Sequence, residues 1–173
     1  MSTLAPQLSD RIRAAIANAP AKMTLQLAHD LQVPELEIIR HFPNHRATEL
    51  DAARWQDLVQ ELPDFGQVHV IVSNGAATVE AVGHFGGFSI WGDFFNVQTD
   101  SLDMHIRHEN IGAVFAVEKP SHMTGNTTLS FQFYDRQGHA AFKVFLNFGA
   151  TEPDAKLEEA FRRVRVRYKK GLV

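Results

Sequence analysis

Gly66-Gln67-Val68-His69-Val70-Ile71-Val72-Ser73-Asn74-Gly75-Ala76-Ala77-Thr78-Val79-Glu80-Ala81-Val82 is the stretch in which the chain changes its period. Val68, Val70 and Val72 share one parity, and Gln67, His69, Ile71 and Ser73 share the other, the two-residue repeat of a strand with two different faces. Asn74-Gly75 follows, a dipeptide suited to a two-residue hairpin because both turn positions want positive φ. The pattern predicts that residues 78–82 return as the partner strand. Downstream, strands are expected at 87–91, 94–99, 104–107, 111–118, 127–134 and 139–148, most of them separated by polar or glycine-containing turns such as Gly125-Asn126 and Asp135-Arg136-Gln137-Gly138. Strands so closely spaced make a largely antiparallel sheet system.

Upstream of Gly66 the apolar spacing is helical. Leu8, Ile12, Ala15 and Ile16 form an amphipathic stripe, with Ser9 or Asp10 as a possible cap. A second helix is expected from Thr24 to Leu31, and a third from Pro34 with Leu36, Ile38 and Ile39 as its apolar positions. Thr48-Glu49-Leu50-Asp51 has capping-box spacing and predicts a fourth helix carrying Leu50, Trp55, Leu58, Val59 and Leu62. After the strands, Thr151-Glu152-Pro153-Asp154 combines an N-cap, an early proline and acidic residues, opening a long helix with Leu157, Phe161, Val164 and Tyr168 in one stripe. The order of helices, strands and a final helix gives an α+β protein. With no internal repeat and no long linker, 1–173 is expected as a single domain, with a helical part at 1–65, the sheet at 66–148 and the closing helix at 151–170.

Composition narrows the chemistry. The 173 residues carry 17 basic and 20 acidic side chains, a balance that supplies no general attraction to nucleic acid or anionic membranes. There is no cysteine, which excludes disulfides, thiolate metal sites, a cysteine nucleophile and covalent c-type haem attachment. No apolar run approaches a membrane span, and Met1 to Pro6 lacks a secretory pattern, so a cytoplasmic location is expected. Nine histidines and thirteen phenylalanines suit an apolar interior with spare imidazoles for a flat ligand or a metal, or simply an ordinary core.

Leu102-Asp103-Met104-His105-Ile106-Arg107-His108-Glu109-Asn110 is the sharpest candidate site. On a strand, His105 and Arg107 share one face, while Met104, Ile106 and His108 share the other. Neutral imidazole is a good axial ligand for haem iron, and an adjacent arginine can pair with a propionate. The plainer alternative is a histidine satisfied within the sheet beside a solvated arginine. His84-Phe85-Gly86-Gly87-Phe88-Ser89-Ile90-Trp91-Gly92 interleaves aromatics with glycine, as a flat pocket or a bent core strand would. Residues 22–42 scan like a helix-turn-helix, but the second helix offers Glu35 and Glu37 against one Arg40, a poor match for phosphates. The basic residues of the final helix lie where its dipole favours them and suit a solvated face.

Met104 to Asn110, together with residues 111–120 and 128–146, including Phe-Tyr-Asp-Arg-Gln-Gly-His-Ala-Ala-Phe-Lys-Val-Phe, resembles the ChuX/HutX family of bacterial cytosolic haem-utilisation carriers. Pro34-Glu35-Leu36-Glu37-Ile38-Ile39-Arg40-His41-Phe42-Pro43 also matches the family's short helix ending before proline. The resemblance implies a split, largely antiparallel β-sheet with helices, related to one half of the duplicated HemS-type proteins, and hence a homodimer. It implies non-covalent binding of haem b, and delivery of haem to a downstream haem-degrading or haem-using protein. His105 matches the histidine that precedes the family's Ile-(Lys/Arg)-x-Glu-Asn run, an axial haem ligand in enteric relatives. A second histidine of those relatives is replaced here by Ser73; His69, on the same strand face, His84, or water could substitute. Arg107 as a propionate partner is inferred from its spacing. Two alternatives to a non-catalytic carrier stand beside it: a haem-degrading enzyme and a helix-turn-helix regulator.

Overall fold

Two antiparallel sheets with a shared core organise the chain, in a computed structural model that describes residues 4–147 and 149–171. Helices α1 (Leu4–Asn18), α2 (Thr24–Leu31) and α3 (Glu35–Arg40) come first, followed by strand β1 (Ala47–Leu50) and the short helix α4 (Trp55–Val59). Strands β2 (Gln67–Ser73), β3 (Thr78–His84), β4 (Phe88–Trp91), β5 (Phe94–Gln98), β6 (Asp103–Arg107), β7 (Ile111–Pro120), β8 (Thr127–Asp135) and β9 (Ala140–Phe145) precede helix α5 (Ala155–Arg167). The large sheet has the order β1-β7-β8-β9-β2-β3, and the small one the order β4-β5-β6. The architecture is the split-sheet α+β fold expected from the sequence.

Alternation decides what each face meets. Val68 and Val70 of β2, Phe131 and Phe133 of β8, and Phe142 and Val144 of β9 share one face of the large sheet. Against that face pack Phe95, Val97 and Ile106 from the small sheet, Trp55 and Leu58 from α4, and Phe161 and Val164 from α5. Phe133 and Phe142 stack with ring centroids 4.2 Å apart. Each such buried ring stabilises the fold by about 2 kcal/mol relative to exposure. The opposite face carries Phe115 and Val117 of β7 and Tyr134 of β8, covered by Ile12, Ile16, Leu27, Ile38 and Ile39 of the three N-terminal helices. The β9–β2–β3 half of that face borders a cleft.

Several local expectations are corrected. Helix α1 starts at Leu4, so Ser9 and Asp10 lie inside it and do not cap it. Thr48-Glu49-Leu50-Asp51 does not open a helix: Ala47–Leu50 pairs with β7, Ala47 opposite Val117 and Leu50 opposite Val114. The backbone groups at the edge of β7 and at the end of α5 both draw this segment into extended form, since Asp51 N donates to Tyr168 O and Lys170 N to Glu49 O. Asp51 instead caps the short 3₁₀ turn Ala52–Arg54, accepting from Ala53 N. The hairpin is not a two-residue turn, because Ser73 pairs with Thr78 and four residues intervene. Asn74 keeps a negative φ and uses its Oδ1 to accept from Ala76 N and Ala77 N. Strand β3 runs to His84, two residues beyond expectation. At the far end β9 stops at Phe145; Phe148, placed in that strand by the sequence pattern, lies outside the described residues, as do Met1 to Thr3. The cap of α5 is Asp154, accepting from Leu157 N, so Thr151 and Pro153 precede the helix.

Candidate functional site

The outer face of the small sheet carries two of the candidate residues, His105 and Arg107. Ser89, Asn96 and His105 form one cross-strand row, and Trp91, Phe94 and Arg107 form the next. The alternate residues Phe95, Val97 and Ile106 are buried in the shared core, which turns His105 and Arg107 outward as their spacing predicted. Met104 and Ile106 take the inner face, but His108 does not: it opens a 3₁₀ turn, His108–Asn110. Gly87 permits the fold at this end, with φ +65° and the Gln98 carbonyl oxygen occupying the place where a Cβ would stand.

The His105 ring is oriented from one side. Its Nδ1 lies 2.7 Å from Asn96 Oδ1, while the Asn96 amide donates to Ser89 Oγ at 3.1 Å. With Asn96 presenting only its oxygen, the proton of a neutral imidazole sits on Nδ1 and the Nε2 lone pair is left for an electrophile. Nε2 is 3.5 Å from Asp103 Oδ1, and the side chain is 56% exposed. Arg107 stacks over the Phe94 ring at 4.8 Å and approaches Asp93 at 3.8 Å, remaining 59% exposed. Trp91 beside them is 83% exposed. A ring nitrogen lone pair, aromatic surface and a guanidinium on one open face match the needs of a flat macrocycle with an iron centre and carboxylate edges.

His69 and His84 lie elsewhere. Both side chains belong to the face of β2 and β3 that turns away from the shared core, whereas His105 points outward from the small sheet on the other side of that core. One chain therefore does not place His69 or His84 on the same iron as His105. His69 is 20% exposed, its Nε2 2.8 Å from Glu80 Oε2. His84 is exposed at the end of β3, opposite Gln67. Ser73 shares the face of His69, as the strand parity predicted. Among the described residues no group of three or more His, Asp or Glu side chains is arranged to hold a metal ion alone.

His69 lines a cleft of about 350 Å³ between α2, the start of α3 and the uncovered part of the large sheet. Glu35 is buried there, its Oε1 accepting from Thr24 Oγ1 and Lys143 Nζ. Lys119 lines the same cleft, and burial, with Lys143 and Arg46 nearby, pushes its ammonium down to about 8. Sequence reasoning did not identify Asn96, Lys119 or Lys143. The pairing of Asn96 with His105 depends on the β5–β6 register, and the lysines converge only once β7 and β9 are placed. Glu35, counted with Glu37 in the sequence as a poor match for phosphates, is buried. Helices α2 and α3 do form a helix pair, turned by Gln32 at φ 55°, but the exposed Glu37 and Arg40 pair with each other at 3.2 Å. No helix among the described residues is long and apolar enough to cross a membrane.

Comparison with known proteins supports the same assignment of the fold. The family model described as haem utilisation ChuX/HutX matches residues 48–164. The intracellular heme transport protein HutX of Vibrio cholerae is 26% identical over 141 residues, covering 80% of this chain and 72% of the relative. A solved structure from Agrobacterium tumefaciens, 26% identical, superposes with a TM-score of 0.78 over 98% of each chain. The heme degrading enzyme ChuS of Escherichia coli O157:H7 shares the fold at 21% identity and TM-score 0.76, over 95% of this chain and 47% of its own. The match across most of the chain, on the fold just described, places this protein in the ChuX/HutX family of haem utilisation proteins.

Proposed function

We propose that the chain is a single-domain intracellular carrier that binds haem b without a covalent bond, keeps it soluble in the cytoplasm and passes it to a downstream haem-degrading or haem-using protein. The observation that carries this reading is the outer face of β4–β6, where Asn96 orients the His105 ring and Arg107 lies one row away. Haem supplies an iron with axial positions open to protein ligands. His105 offers Nε2 to that iron, Trp91 and Phe94 give apolar surface to the macrocycle, and Arg107 pairs with a propionate. The open face covers one side of a flat ligand. A second copy of the chain would cover the other, which supports a homodimer, as does the single copy's span of about half of ChuS. His69 and His84 enter this reading as ligands only from a second surface.

A carrier differs from a haem-degrading enzyme in the fate of the bound haem. Loaded protein given a reductant and oxygen is expected to keep its Soret band and to surrender haem to apomyoglobin. Reductant-dependent loss of the Soret band with release of iron would assign turnover instead. The shared fold with ChuS makes this second reading worth the direct test.

A further inference from the structure

Between Asp154 and Lys170 the chain carries seven basic side chains against three acidic ones, in a protein that totals 17 against 20. Positive charge is thus gathered on α5 and the two lysines after it, and the rest of the molecule is net acidic. Part of that charge is answered within the fold. Arg167 pairs with Glu61 and Lys170 with Glu49, each at 2.7 Å, while Arg165 lies over the Phe161 ring and 3.9 Å from Glu118. Arg162, Arg163 and Lys169 are exposed, and no carboxylate among the described residues forms an ion pair with any of them. The helix dipole favours cations in the last turn, but Arg162 and Arg163 precede that turn. Val166 sits among these three cations and is 54% exposed. An apolar centre with an arginine-rich rim has the make-up of a protein interface.

The place of α5 in the fold says what such an interface would serve. Along β8, Phe131 meets Phe161 of α5 with ring centroids 5.2 Å apart. Two residues on, Phe133 meets Trp55 at 6.3 Å, and Trp55 meets Phe95 of the small sheet at 5.2 Å. Helix α5 and the small sheet therefore lie on the same side of the large sheet, and both outer faces turn away from it. We propose that the outer face of α5 around Arg162, Arg163, Val166 and Lys169 is the docking surface for an acidic protein that takes haem from the His105 face. The second half of this statement rests on the carrier reading above; the docking itself needs no haem. Carboxylates of the partner meet the three free cations and steer its approach, and an apolar side chain covers Val166. A protein fits this surface better than nucleic acid or an anionic bilayer, because an extended array of negative charge would also face the acidic remainder of the molecule.

Stopped-flow mixing of the full, haem-free chain with two forms of fluorescently labelled apomyoglobin tests the docking. In one form the lysines are acetylated, which leaves its carboxylates unopposed; the other is untreated. At low salt the acetylated form is expected to associate about tenfold or more faster, the scale on which charge steers an encounter. Arg162→Gln with Arg163→Gln should erase that gain, and so should Val166→Asp. Arg11→Gln with Arg13→Gln, which removes the same charge from the exposed face of α1, should keep it. Equal rates for both forms, or equal loss in the two double variants, would overturn the proposal. So would tighter binding of phosphatidylglycerol vesicles or duplex DNA through the same arginines. From the haem-loaded chain, transfer to the acetylated form should slow in the α5 variant while transfer to the untreated form does not; transfer indifferent to α5 would overturn the role in haem delivery. Failure of the carrier reading shows separately, as a missing Soret shift beside unchanged haem-free association.

Discussion

At the scale of the residue, the chemistry of His105 is set by Asn96. A histidine on an open strand can carry its proton on either nitrogen; here the 2.7 Å contact from Nδ1 to Asn96 Oδ1 selects one arrangement and aims the ring. Asn96→Ala is expected to leave the strand pairing intact and to weaken haem binding by about tenfold, since partners of this kind commonly contribute that much to a metal–histidine bond. An unchanged Soret titration would show that the ring is held by other means. In the proposed site Arg107 has a separate role. Arg107→Ala should weaken haem more than it weakens the propionate diester of haem, as compared by competition; if both weaken alike, its contact is with the macrocycle. The alternation Met104-His105-Ile106-Arg107 already told which two side chains turn outward, because strand parity is local. Asn96 was not legible, because its place depends on which residue of β5 stands opposite His105.

Elements were legible where their own residues decide them and misread where a distant partner does. Helix α5 follows from the stripe Leu157, Phe161, Val164 and Tyr168, three of which are buried in the shared core. Residues 47–50 carry a helix-start signal, yet the unpaired edge of β7 outweighs one weak capping box. Tyr168 ties the end of α5 to the residues that follow β1: its hydroxyl donates to Glu61 Oε1 at 2.7 Å, and the Arg54 guanidinium lies 4.4 Å from its ring centroid. Burial and then the Glu61 bond push this phenol up to about 12 from its ordinary 10. Because the folded value lies above the unfolded one, its contribution is intact below about pH 10 and is lost as pH rises through 12. Tyr168→Phe is therefore expected to lose stability less steeply than the native chain across that window in urea titrations. Parallel slopes would mean the phenol ionises as easily folded as unfolded.

For the whole molecule, the large sheet serves two surfaces. One face supports the small sheet and through it the His105 patch; the other is half covered by α1–α3 and half open as the Lys119 cleft. The buried contact of Glu35 with Lys143 ties α3 to β9 across that division. Glu35→Leu alone should cost about 3–5 kcal/mol by stranding Lys143, and adding Lys143→Met should recover most of it. A double variant no more stable than the single would show that the tie acts through shape and not charge. The α+β order, the change of period at Gly66 and the family resemblance were visible in the chain. The separation of His69 from His105 was not, since parity names a face without saying which core that face adjoins.

The central claim is that this chain holds haem through His105. Absorption during a haemin titration of the freshly prepared apoprotein tests it most directly, run in parallel on His105→Ala and on His45→Ala, a control at another exposed histidine. Ligation by His105 predicts a saturable Soret shift near one haem per chain that His105→Ala diminishes or displaces and His45→Ala leaves as it was. A featureless titration of folded protein, or equal curves from all three chains, would contradict it.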